Sequence, residues 1–201
     1  MTPAPRLLGA VLAGGEGRRF GGPKAEARLG GISLAERAVA LLRTVLDDVV
    51  VVTSHDLSAP PAPVVPDRVR GLGPLGGLDA ALRYARDRGY EGVLLVGCDL
   101  PLLTTALLEE VASGLAGHRA VAPGRRGGGV EPLCAAYRVE LSEAVEGRLA
   151  QDDRSLHALF RDVGGHMLPG AVEAGDDPFL NVNTVDELER AEAALSGGGD
   201  R

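Results

Sequence analysis

Short apolar runs alternate along the chain with segments that repeat apolar residues every three or four positions. Leu7–Leu12 is an unbroken apolar run, the pattern of a strand covered on both faces. Residues 33–46 predict a helix: Ser33 and Glu36 form a capping box, and Leu34, Ala38, Leu41, Leu42 and Val45 share one face. Val49–Thr53 is a β-branched buried strand. Residues 75–88 predict a helix with Leu75, Leu78, Leu82 and Ala85 on one side, stopped at Gly89. Residues 93–97 form another buried strand, followed by Cys98-Asp99-Leu100-Pro101, and a helix starts near Thr104 or Thr105 and runs to about Leu115. Residues 120–122 and 133–138 read as later strands. Asp153 is placed as the cap of a helix over Leu156, Leu159 and Phe160 that ends at Gly164-Gly165. Thr184 and Glu187 form a second capping box before a last helix over 185–195.

Strands of four to eight residues alternating with longer helices indicate an α/β fold with a mainly parallel sheet. Glycine breaks at Gly127–Gly129 and Gly164-Gly165 predict a mixed sheet in the second half. The Pro-rich stretch 60–66 is too short for an interdomain linker, and no internal repeat is present. The chain of 201 residues is read as one domain over 1–201, with a frayed Gly-rich tail at about 196–201.

Charge narrows the functional classes. There are 28 acidic and 21 basic residues, a net charge of −7, which argues against a protein that coats nucleic acid or an anionic membrane. Only six residues are aromatic, too few for base-stacking platforms. No apolar stretch is long enough for a membrane span, and residues 1–6 lack the apolar segment of a signal peptide, so the expected location is cytoplasmic. Cys98 and Cys134 lie in apolar runs and read as buried thiols rather than a disulfide framework or a zinc site. The four histidines have no metal-ligand spacing, and no Gly-x-Ser-x-Gly elbow occurs.

The chemistry concentrates after the first strand, in Leu12-Ala13-Gly14-Gly15-Glu16-Gly17-Arg18-Arg19-Phe20-Gly21-Gly22-Pro23-Lys24. In a parallel α/β sheet, ligands bind at the carboxyl ends of strands. Glycines let backbone N–H groups approach an anion, and Arg18, Arg19 and Lys24 add three cations, a combination suited to a nucleoside triphosphate. The loop is not a Walker A motif, because Pro23 precedes Lys24 and Ala25 replaces Ser or Thr. It is not a dinucleotide fingerprint, because Phe20 stands where the third Gly belongs. Lys24 is the chain's one lysine, against 20 arginines. Lysine binds phosphate as a compact charge on a flexible stem, whereas arginine is a planar fork, so a site requiring the former resists replacement.

Leu12-Ala13-Gly14-Gly15, Arg19 and Gly21-Gly22-Pro23-Lys24 together resemble the signature of nucleotidyltransferases that activate sugars, isoprenoid precursors and molybdopterin. Three later segments extend the resemblance: Gly73-Pro74-Leu75-Gly76-Gly77, Cys98-Asp99-Leu100-Pro101, and Phe179-Leu180-Asn181-Val182-Asn183-Thr184. The last is similar to the terminal motif of molybdenum cofactor guanylyltransferases. The resemblance implies a three-layer α/β/α Rossmann-like sandwich that joins GMP from GTP to molybdopterin and releases pyrophosphate. It implies that Leu12, Ala13, Gly14, Gly15, Pro74, Leu75, Gly76 and Asp67 contact the nucleotide, and that Lys24 holds its phosphates with Arg19 as a further catalytic group. Asp99 would hold Mg²⁺ with Asn183, and Asn181 and Asn183 would face the acceptor. The implied partners are GTP and molybdopterin, with transient contact to molybdenum cofactor proteins. Members of that group usually carry Asp before the Lys and Met after the Arg, where this chain has Pro23 and Phe20. A guanine-side Asn near the end of the second strand is here Val52. A cytidylyltransferase of the same fold and a catalytically silent nucleotide-binding module therefore stay open.

Each candidate also has a plain structural reading. Asp99 could begin the helix near Thr104, Asn183 could shape the entry of the last helix, and Asp67 after Pro66 could be a turn residue. Arg125 and Arg126, among glycines, could grip an acceptor phosphate but read more simply as a solvated loop.

Overall fold

The computed structural model describes residues 5–14, 22–67, 71–169 and 177–197. Along the chain these form β1 (Leu7–Leu12), a 3₁₀ turn (Lys24–Glu26), β2 (Arg28–Leu29), β3 (Ile32–Ser33), α1 (Leu34–Leu42), β4 (Val49–Thr53), β5 (Val64–Pro66), α2 (Gly73–Asp87) and β6 (Gly92–Gly97). They continue with α3 (Thr105–Gly114), β7 (Ala120–Pro123), β8 (Cys134–Arg138), α4 (Ser142–Ala150), α5 (Leu156–Asp162), β9 (His166–Leu168) and α6 (Val185–Gly197).

Seven strands build one sheet in the order β5-β4-β1-β6-β8-β7-β9, and β2 and β3 make a separate hairpin. β5, β4, β1 and β6 pair in parallel, β8 runs antiparallel to both β6 and β7, and β9 is parallel to β7. The sheet is thus mainly parallel and mixed in its second half, as the sequence pattern predicts. Strand alternation divides the core into two layers. Leu7, Val11, Leu94 and Val96 pack on one side with α1, α3 and Ala191 of α6. Leu8, Ala10, Val93 and Leu95 pack on the other with α2, α4 and α5. This is the three-layer α/β/α sandwich.

Boundaries shift where local chemistry outweighs the apolar period. The Ser33–Glu36 capping box forms, with Glu36 N–H donating to Ser33 Oγ and Ser33 N–H to Glu36 Oε2. The helix it opens ends at Leu42 rather than 46, because Arg43, Thr44 and Val45 close a turn onto Val39, Leu41 and Leu42. α2 begins at Gly73, two residues early, with Pro74 in its first turn where a missing N–H costs nothing. The cap of α5 is Ser155, whose Oγ accepts from Ala158 N–H, not Asp153, which instead accepts from Ser155 N–H. α6 continues to Gly197, past the predicted end at 195 and into the span read as a frayed tail. The sequence pattern did not pick out α4, whose apolar face is only Val145 with partners at its edges, nor the short edge strands β5 and β9.

Candidate active site

Four parallel strands end together. The register sets Leu12 beside both Val52 and Gly97, and Thr53 beside Pro66. The residues that follow therefore emerge along one edge of the sheet. There they line a cleft of about 430 Å³, whose walls include Leu12, Gly14, Val52, Thr53, Asp67 and Asp99. The start of α2, with Gly73, Pro74 and Gly77, forms one wall, and Leu133, in the turn just before β8, contributes to the lining. A Cβ on Gly77 would stand 2.7 Å from Leu12 Cδ2, so glycine is what lets α2 approach the end of β1.

The edge is tied by backbone bonds. Ala13 N–H donates to Val52 O, Cys98 N–H to Leu12 O, Gly97 N–H to Leu133 O, and Asp67 N–H to Thr53 O. Thr53 Oγ1 accepts from His55 N–H at 3.0 Å and lies 3.3 Å from Ala13 O, fixing the turn after β4. The carboxylate of Asp67 sits against Gly76, where a Cβ would meet Leu72 Cβ at 2.6 Å and Asp67 Oδ1 at 3.4 Å.

Beside the cleft, Lys24 reaches in from its 3₁₀ turn and is buried. Its Nζ donates to Asp99 Oδ2 at 2.7 Å, Asn183 Oδ1 at 2.5 Å and Asn181 Oδ1 at 3.2 Å. The sequence contains one Lys and two Asn, and all three meet here. Residues separated by 75 to 159 positions are brought to one point by the closure of the sandwich. Val182 anchors the segment: it is fully buried, and its N–H donates to Asp99 O at 2.9 Å. Phe179, also buried, pins the other end.

The structural alternatives resolve one by one. Asp99 does not cap α3, because Thr104 does so through its own hydroxyl, which accepts from Leu107 N–H. Asn183 does both jobs: its N–H donates to Glu187 Oε2 at the helix entry while its side chain holds Lys24. Of the other residues expected to meet nucleotide, Leu12, Gly14, Asp67 and Pro74 line the cleft. Leu75 is fully buried in the core, and Ala13 is buried with both its N–H and its carbonyl already bonded. Gly76 lies behind Asp67. Gly15, Arg18 and Arg19 lie outside the described residues.

Sequence reasoning missed three residues in this region. Ser54 and His55 line the cleft, carrying its wall past the end of β4. Glu131 is a buried carboxylate whose Oε2 accepts from Arg125 Nη1 at 2.7 Å and whose Oε1 accepts from Leu133 N–H at 3.1 Å. Arg125 is exposed in its loop, as the simpler reading expects, and it also pairs with Glu131, with its guanidinium 5.8 Å from the centre of the Phe179 ring. Burial pushes the Glu131 carboxyl above its ordinary range, against the Leu133 N–H and the Arg125 charge that pull it down. Glu131-Pro132-Leu133 precedes an apolar strand, as Asp99 follows one, and that parallel was the available signal. Both cysteines are free and buried, and burial pushes the Cys98 thiol up to about 12.

Residues 9–167 match the family model described as a MobA-like NTP transferase domain. The chain belongs to that family. It is a nucleotidyltransferase with the Rossmann-like fold of the group. It is 34% identical over 199 residues to a molybdenum cofactor guanylyltransferase of Desulfosudis oleivorans, covering 96% of this chain and 97% of the relative. It is also 34% identical to a molybdenum cofactor guanylyltransferase of Rhodobacter capsulatus, with 94% and 97% covered. Among solved structures it is similar to molybdopterin-guanine dinucleotide biosynthesis protein A from Archaeoglobus fulgidus, at 27% identity and a TM-score of 0.77, with 94% and 98% covered. The resemblance read from the four sequence segments is borne out at the level of family, fold and reaction class. Among the described residues, no helix is long and apolar enough to cross a membrane.

Proposed function

We propose that the chain transfers GMP from GTP to molybdopterin, releasing pyrophosphate and forming a guanine dinucleotide cofactor. The observation that carries this reading is the Lys24–Asp99–Asn181–Asn183 cluster at the edge of a nucleotide-sized cleft, in a chain whose relatives are named molybdenum cofactor guanylyltransferases.

An acceptor phosphate is already ionised at neutral pH, so the reaction needs alignment and charge neutralisation rather than a general base. The cleft orients the nucleoside, with Asp67 on its α2 side. Lys24, released toward the phosphates, stabilises the departing pyrophosphate, together with the loop amides after β1 and Arg19. Asn181 and Asn183 face the acceptor. Among the described residues, no group of three His, Cys, Asp or Glu side chains is arranged to hold a metal ion. Asp99 Oδ2 and the two Asn Oδ1 atoms nonetheless converge on one point already held by a cation, and such hard oxygens fit Mg²⁺. When bound, Mg²⁺ would supply Lewis-acid stabilisation at the α-phosphate.

Pyrophosphate release measured with GTP and with CTP, each with and without molybdopterin, tests the proposal. The expected result is release that requires both GTP and molybdopterin. Equal release with CTP would make the chain a nucleotidyltransferase of different base preference, and binding without release would make it a silent module. For Asp99→Ala, Mg²⁺-dependent turnover at the normal rate would remove the metal role assigned to Asp99.

A further inference from the structure

An ammonium group has three N–H donors, and Lys24 commits all three within the protein, to Asp99, Asn181 and Asn183. In this arrangement it has no donor left for a phosphate. To hold a triphosphate, Lys24 must give up at least one of these bonds.

What it would leave behind is a small cage of oxygens. The cage is fixed: Val182 and Phe179 are buried, and Val182 N–H is bonded to Asp99 O. The two Asn side chains, two residues apart across Val182, point to the same side. The lysine is the adaptable member, a four-carbon stem on a short turn. With Lys24 in place the cage is formally neutral, one carboxylate against one ammonium. A divalent cation entering beside the ammonium would face a like charge about 3 Å away in a partly desolvated site, which opposes entry. Without Lys24 the cage carries one negative charge and three hard oxygens, a weak but open site whose remaining ligands phosphate oxygens can complete.

We propose that Lys24 is a resident cation that occupies the Asp99–Asn181–Asn183 oxygens until a polyphosphate draws its ammonium away and a divalent cation takes its place. Metal binding is then conditional on nucleotide, and the empty enzyme does not carry a metal. The proposal rests on the reading that the cleft takes a nucleoside triphosphate. It does not depend on the base or on the acceptor.

The single lysine makes the exchange directly observable. Full-length wild-type protein with 13C and 15N in its lysine side chain gives one side-chain signal set, from Lys24. Millimolar Mg²⁺ alone is expected to leave that signal in place, and GTP or CTP with Mg²⁺, without acceptor, to shift it. A shift with Mg²⁺ alone, or no shift with either nucleotide, would overturn the proposal. In parallel, Mn²⁺ binding followed by electron paramagnetic resonance without nucleotide is expected to be roughly tenfold tighter in Lys24→Met than in wild type, the coupling typical of linked ligands. Added GTP should tighten Mn²⁺ binding by the wild type and do so less in the variant. Equal Mn²⁺ affinity of a folded Lys24→Met and the wild type would overturn the exchange; if the variant does not fold, the wild-type resonance decides alone. The pyrophosphate assay is separate: its failure with molybdopterin would remove the proposed acceptor and leave the exchange standing.

Discussion

Replacing Lys24 with arginine keeps the charge and changes only its shape, and the structure says why shape matters. Three oxygens lie 2.5, 2.7 and 3.2 Å from one nitrogen. An ammonium serves acceptors converging on a point, whereas a guanidinium spreads its five N–H groups around a plane. Seated in the same buried pocket, it can satisfy two of the three oxygens and leaves the third without its donor. Each hydrogen bond to a charged group contributes about 1.5–3 kcal/mol. These are contacts of the empty site; on the phosphates, where the ammonium acts during turnover, the same difference in shape applies, and loss of one charge-assisted contact there lowers turnover by ~10- to 100-fold, since 1.36 kcal/mol is a factor of ten. Lys24→Ala removes the charge as well and is expected to lower turnover by ~10²-fold or more. The assay is kcat and KM for pyrophosphate release, with circular dichroism to confirm folding. Wild-type turnover in Lys24→Arg would refute the need for a compact ammonium at this position, and with it the significance of the lone lysine.

Ser33→Ala removes the capping hydroxyl of α1 and is expected to cost about 1 kcal/mol, read as a lowered midpoint in urea with an unchanged slope. Cys98 and Cys134 should react with a thiol reagent only after unfolding, because both are buried and burial holds the Cys98 thiol near 12; fast labelling of the native protein would contradict that burial. Glu131 has a raised carboxyl pKa in the fold, so the native state binds its proton more readily than the unfolded chain does, and its contribution to stability declines as pH rises from the ordinary value of 4.5 through the raised folded value. Glu131→Gln should remove that decline, and parallel stability–pH curves for variant and wild type would refute the assignment.

The sequence by itself determined most of the architecture. Unbroken apolar runs marked β1, β4 and β6 because these strands are covered on both faces, and the Ser33–Glu36 box and the hydroxyl cap of α6 were readable because capping is local chemistry. The sequence also named Lys24, Asp99, Asn181 and Asn183. It did not show that they touch, since their partners lie 75 to 159 positions apart and only the closed sandwich brings them together. It placed the cap of α5 at Asp153 because Asp and Ser are both good caps, and only the chain path chose Ser155. The pairing of Arg125 with Glu131 was not legible because it forms through a hairpin whose closure, from Gly124 to Val130, is set by strand pairing. Patterns decide elements because burial and capping act over a few residues. The convergence of one ammonium with three oxygens is a property of the tertiary structure, because no local rule relates positions so far apart.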